Sequence, residues 1–193
     1  MSSSISTNEN KRLWIAVSAC LLGESCKYNG GNNYRAELKK FLADYEVIPI
    51  CPEVAGGLPT PRVPVELKDG IPFDRDGISR EKEFRLGTER TLQELKDKGI
   101  AFAILQSRSP SCGVGQIYDG TFSGTKIPGM GMFAAAMKAA GYPVYDVEEV
   151  LGGMLSEKKW GCRTNVRQLI LYIQHKTPSF EKPGVRGIIS LCD

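Results

Sequence analysis

Leu13-Trp14-Ile15-Ala16-Val17-Ser18-Ala19-Cys20 decides the fold: five apolar residues in unbroken succession, then two small residues and a cysteine. An apolar run this short, with Ile and Val in it, reads as a strand buried on both faces, the kind that makes parallel sheets. Working outward, the same figure returns twice. Val47-Ile48-Pro49-Ile50 stops at Cys51-Pro52-Glu53, and Ile100-Ala101-Phe102-Ala103-Ile104-Leu105 leads through Ser107-Arg108-Ser109-Pro110-Ser111 to Cys112.

Helices are predicted between these strands. Asn32 or Asn33 can cap one that runs to Asp44 with Leu38, Phe41 and Leu42 on a face. Glu81 to Lys98 is the clearest, with Phe84, Thr88, Leu92 and Leu95 at helical spacing and Gly99 to close it. The Gly/Pro-rich stretch from Gly56 to Arg80 reads as loop with a small hairpin around Val65 to Phe73, and Tyr118 to Gly124 as a glycine-rich connection. An Ala/Met helix from Gly129 to Ala140, a strand at Tyr142 to Tyr145 and a helix from Asp146 to Leu155 complete the series. The alternation predicts an α/β fold: a single Rossmann-like domain with a mostly parallel sheet flanked by helices. That domain is expected over 13–159, after a flexible polar tail at 1–12 and before a C-terminal extension at 160–193.

Composition narrows the class. A chain of 193 residues, 41% hydrophobic and 24% charged, suits one globular domain with a proper core. A net charge of +3, from 25 basic and 22 acidic side chains, gives no strong nucleic-acid signal. No apolar run reaches the roughly 18–20 residues that span a bilayer, and the start has no signal-peptide character, so no membrane is expected and the expected compartment is cytoplasmic. In that compartment six cysteines do not imply disulfides.

Three of the six share a topological position. Cys20, Cys51 and Cys112 each follow an apolar strand, and in a parallel sheet with helical crossovers all strand C-termini lie on one edge. That edge is also where open α/β folds bind ligands. Three converging thiolates make a soft-metal site. Closed structural zinc sites want four ligands, commonly as CxxC pairs, and the chain has no CxxC. Three cysteines from three loops suit an iron–sulfur cluster with one iron left free. Unconnected reduced thiols, a zinc-binding module and a metal-free small-molecule binder are the rival readings. Cys26 is an alternative ligand or a neighbouring thiol; Cys162, Cys192 and the lone His175 fall outside the pattern. Gly129-Met130-Gly131 either offers backbone N–H groups to an anion or makes a tight turn. Gly113-Val114-Gly115 lacks the third glycine of a dinucleotide fingerprint.

At these loops the chain resembles the TudS-type thiouracil desulfurases. The likeness is carried by Ser18-Ala19-Cys20-Leu21-Leu22-Gly23 with Cys26-Lys27-Tyr28-Asn29-Gly30, and by Cys51-Pro52-Glu53 with Gly56-Gly57-Leu58-Pro59-Thr60-Pro61-Arg62. Ser107 to Gly113 and Tyr118-Asp119-Gly120-Thr121-Phe122 extend it. Lys27 to Gly30 departs from the family's usual Arg-Tyr-Asp-Gly, which leaves the cysteines untouched. The resemblance implies a [4Fe–4S] cluster on Cys20, Cys51 and Cys112, and non-redox removal of sulfur from a thiolated, nucleobase-like small molecule of the 2-thiouracil type. It puts the acid/base candidates at Glu53 and Ser109. Arg62, Ser111 and Asp119 are the candidate substrate contacts, with Arg62 and Arg108 also readable as ion-pair partners.

Overall fold

A computed structural model describes residues 12–158. The expected tail at 1–12 is therefore outside the described residues except for its last position, and the extension at 160–193, with Cys162, His175 and Cys192, lies wholly outside them. In chain order the elements are β1 (Leu13–Ser18), a 3-10 turn (Ala19–Leu22), α1 (Leu38–Leu42), β2 (Tyr45–Ile50) and α2 (Pro52–Ala55). Then come β3 (Val65–Lys68), β4 (Ile71–Asp74), α3 (Glu81–Lys98), β5 (Phe102–Leu105), β6 (Gln116–Tyr118) and β7 (Lys126–Pro128). The series ends with α4 (Met132–Ala139), β8 (Val144–Asp146) and α5 (Val147–Lys158).

Four strands form the central sheet in the order β2-β1-β5-β8, every neighbouring pair parallel. The chain is thus an α/β protein with a parallel sheet flanked by helices, as the alternation of runs predicts. Alternation of side chains along each strand sends Ala16, Ile48, Ile50, Ala103 and Leu105 to one face. There they meet Leu95 of α3 and Phe133, Ala134 and Met137 of α4. Ile15, Val17 and Ile104, all fully buried, take the other face. An aromatic chain, Phe41–Tyr45–Phe102–Tyr145 with centroids 5.2, 5.4 and 5.8 Å apart, ties α1 to three strands.

Helix α3 forms where its periodicity places it, because everything local agrees. Glu81 and Glu83 sit in the first turn and Lys96 and Lys98 in the last, opposing the helix dipole with the right signs. Gly99 takes φ 68° and donates its N–H to the Leu95 carbonyl, ending the helix in a conformation other residues resist. Helix α1 is much shorter than expected. Asn32 does not cap it: its side chain accepts the Tyr34 N–H and donates to the Gly23 carbonyl, which keeps the segment after Cys20 as folded loop. Two antiparallel hairpins, β3–β4 and β6–β7, stand off the main sheet. The first is where the sequence reading places one; the second replaces what reads as plain connection.

Candidate active site

Strand register brings the thiols together. Ser18 is paired with Ile50, so Cys20 and Cys51 leave adjacent strands two residues and one residue beyond a shared rung. On the other side of β1, Val17 is level with Ile104, and the Gln106 N–H donates to Ser18 Oγ at 3.0 Å. The chain then turns back through Ser109 to Gly113, closed by the Gly113 N–H on the Ser109 carbonyl at 2.8 Å. That turn returns Cys112 to the same edge. Cys20, Cys26, Cys51 and Cys112 all line one cleft of ≈ 480 Å³ at the C-terminal ends of β1, β2 and β5.

Cys26 belongs to this group as a neighbour of Cys20 and Cys51. Its thiol is pushed up to about 11, first by hydrogen bonding with Cys20. The Cys51 thiol is pushed up by hydrogen bonding with Cys26 and by burial, and burial pushes Cys112 up. The Ser18 hydroxyl works the other way on Cys112, favouring its thiolate. Neutral thiols sharing hydrogen bonds are what such a gathering must be when no cation compensates it; a soft metal would displace the protons on binding. Among the described residues no three His, Cys, Asp or Glu side chains are grouped to hold a single metal ion. A cluster, whose irons take one thiolate each, asks for donors spread more widely than the ~2.3 Å ligand shell of one zinc.

Glu53 sits at the start of α2, two residues after Cys51, and also lines the cleft. Its carboxylate is fixed at both oxygens. Arg62 Nε and Nη2 donate to Oε2 at 2.9 and 2.8 Å, and Ser111 Oγ donates to Oε1 at 3.1 Å. Helix α2 can lie where it does only because two glycines face each other's helices. A Cβ on Gly87 would stand 1.9 Å from the Pro52 carbonyl oxygen, and one on Gly56 2.0 Å from that of Glu83. Backbone contact between α2 and α3 thus sets the height of Cys51 and Glu53 above the sheet.

The three expected substrate contacts all make hydrogen bonds within the chain. Arg62 is 6% exposed at its side chain. Besides Glu53, its guanidinium donates to the Cys26 carbonyl from both Nη atoms at 3.1 Å, and to Pro59 O and Thr60 Oγ1. All five N–H groups are occupied, so none remains for a ligand. Ser111 is 2% exposed and its hydroxyl is turned to Glu53. Asp119 accepts the Thr121 N–H and hydroxyl, shaping its own turn.

Ser109 does face the cleft. Its Oγ accepts the N–H groups of Ser111 and Cys112 at 3.1 and 3.0 Å, which leaves the hydroxyl proton to donate elsewhere. Arg108, at φ 61°, is an ion-pair partner of Glu148, and Ser107 bonds Asp146 Oδ1. Together they pin the Cys112 loop to the end of β8. The Gly129–Gly131 segment resolves as packing: the N–H groups of Gly131, Met132 and Ala134 donate to the carbonyls of Gly113, Pro110 and Ser111, so they are not offered to an anion. Gln106, with a buried Oε1 lacking a hydrogen-bond partner, and Phe122 also line the cleft. Gln106 carries no sequence signal of a role there, and Phe122 carries only its place at the end of the Tyr118–Phe122 motif; folding brings both beside the thiols.

Fold and site together define an α/β protein with a cysteine-lined cleft at the carboxyl edge of a parallel sheet. The 2-thiouracil desulfurase family profile matches residues 15–149, and the chain belongs to that family. It is 38% identical over 146 residues to the uncharacterized protein YbbK of Bacillus subtilis (strain 168), a match covering 70% of this chain and 97% of that one. Among solved structures it is similar to a [4Fe-4S]-dependent thiouracil desulfidase, TudS, with a TM-score of 0.69 and 36% identity over 76% of this chain and 99% of that one.

Proposed function

We propose that this protein hydrolytically removes sulfur from a thiolated pyrimidine of the 2-thiouracil type, with a [4Fe–4S] cluster held by Cys20, Cys51 and Cys112. The observation that carries the reading is the convergence of these three cysteines, from three separate strand ends, on one cleft shared with Glu53 and Ser109. Family membership and the similarity to a [4Fe-4S]-dependent desulfidase support it.

The donor set fits the group: soft thiols on a partly buried edge, with no hard-oxygen ligand needed. When bound, the cluster supplies a soft Lewis-acidic iron that holds a thiocarbonyl sulfur and draws electrons from its carbon. The chain's own residues do the rest. Glu53, locked by Arg62 and Ser111, takes a proton from the attacking water; it cannot swing away, because both oxygens are held. Ser109 offers its hydroxyl proton to the developing charge or the departing sulfur. Water replaces sulfur at carbon, the products are the oxo-pyrimidine and sulfide, and no electron donor enters the balance.

Anaerobic reconstitution tests this. The protein should become brown with about four irons and matching sulfide, and should release sulfide from 2-thiouracil stoichiometrically with uracil. Cys20→Ser, Cys51→Ser and Cys112→Ser should each lose cluster iron, whereas Cys26→Ser should keep it. Colourless protein binding one zinc would overturn the proposal.

A further inference from the structure

We propose that Phe122 is the platform on which the substrate's heterocycle stacks, and so the residue that selects a planar ring over other thiocarbonyl compounds. The inference rests on the function proposed above and deepens it. Phe122 lines the same cleft as the four thiols, where Tyr28 and Tyr118 are the other aromatic residues and Ile50 and Val65 the apolar ones among polar side chains and prolines. Its backbone is at φ 58°, a conformation in which Gly or Asn is comfortable and a bulky aromatic residue is strained.

Three contacts hold that strained residue in place. The Glu66 carboxylate on β3 accepts both the Gly120 and Phe122 N–H groups, at 3.1 and 2.9 Å. Gly120, at φ 84°, lies so close to β3 that a Cβ there would stand 2.7 Å from Lys68 Cβ and 2.9 Å from the Leu67 carbonyl oxygen. The Arg75 guanidinium stands over the Phe122 ring, 5.6 Å from its centroid. The ring is partly exposed rather than buried in a core. A loop clamped this firmly fixes the ring at the cleft wall, with Arg75 over one face, and a flat ring recognises a flat ligand without needing to read its edge.

The test uses cluster-loaded protein and two substrates with the same N–C(=S)–N unit: 2-thiouracil, which has a ring to stack, and N,N′-dimethylthiourea, which has none. In Phe122→Leu, iron content should match that of the unaltered protein. KM for 2-thiouracil should rise roughly tenfold with kcat within about twofold, as expected for lost base–aromatic stacking. The preference for 2-thiouracil over dimethylthiourea in kcat/KM should fall by the same roughly tenfold factor, and uracil binding by equilibrium dialysis should weaken in step. Phe122→Tyr should restore all three. Phe122→Asn, suited to positive φ, should reproduce the loss if the leucine variant folds poorly. An unaltered substrate preference with unchanged uracil affinity in both the leucine and asparagine variants would overturn the stacking role while leaving the desulfurase reading intact. Unaltered protein that carries four irons yet neither releases sulfide nor binds uracil would overturn that reading, and this one with it.

Discussion

Glu53 reads from the sequence as an acid/base group and Arg62 as a substrate contact, and the fold joins the two in one ion pair. Glu53 faces the cleft, with its oxygens aimed by Arg62 and Ser111. Glu53→Gln is expected to lower kcat for sulfide release by about 10²–10⁴-fold, the usual worth of a positioned general base, while leaving iron content unchanged. Arg62 fixes that carboxylate and the Cys26 carbonyl through a planar fork that lysine cannot copy. Arg62→Lys should therefore lower kcat by roughly tenfold or more with little change in KM, measured by steady-state sulfide release. A rise in KM alone would show that Arg62 binds substrate after all. At this scale the sequence conveys chemistry but not availability: whether a guanidinium has a free N–H depends on which carbonyls the fold delivers to it.

Short elements around the site owe their form to close backbone approach. Helix α2 is one turn long, far too short to be stable alone, and exists because it leans on α3 through Gly56 and Gly87. Gly87→Ala puts a methyl 1.9 Å from the Pro52 carbonyl oxygen. An overpacked contact of this kind costs about 1–3 kcal/mol, and each kcal/mol lowers the melting temperature of a chain this size by roughly 2–4 °C. Thermal unfolding of the variant checks this loss, and its iron content should fall as well, since Cys51 adjoins the displaced turn. Helix α3 was legible from its period, its charged ends and Gly99. Helix α1 was over-extended because Asn32 is as good at making a loop as a cap, and only its partner, the Gly23 carbonyl, decides. The β6–β7 hairpin went unread because three-residue strands, one of them wholly exposed, leave no hydrophobic alternation to see.

At the scale of the described fold, the core meets the site at Ile50 and Cys112, but most of it lies away from the cleft. Residues such as Ile15, Val17, Leu95, Ile104 and Phe133 are buried without help from the cleft, so the sheet should persist when the cluster is lost. Cluster-free protein is expected to keep its far-UV circular dichroism but melt roughly 5–10 °C lower than the loaded form, because a group bound only by the native state stabilises it by mass action. Collapse of the dichroism on iron removal would instead make the cluster part of the core. Among the described residues no helix is long and apolar enough to cross a membrane.

The order of short apolar runs and periodic helices determined the parallel α/β fold, and with it the edge on which Cys20, Cys51 and Cys112 had to emerge. Those features are local: burial and periodicity are written residue by residue, and handed crossovers turn them into topology. Tertiary structure alone decided that Cys26 joins the other three in one cleft, which partners Arg62, Ser111 and Asp119 bond, and that Phe122 lines that cleft. Most of those outcomes depend on partners tens of residues away, and a hydrogen bond is claimed by whichever group the folded chain brings within about 3 Å.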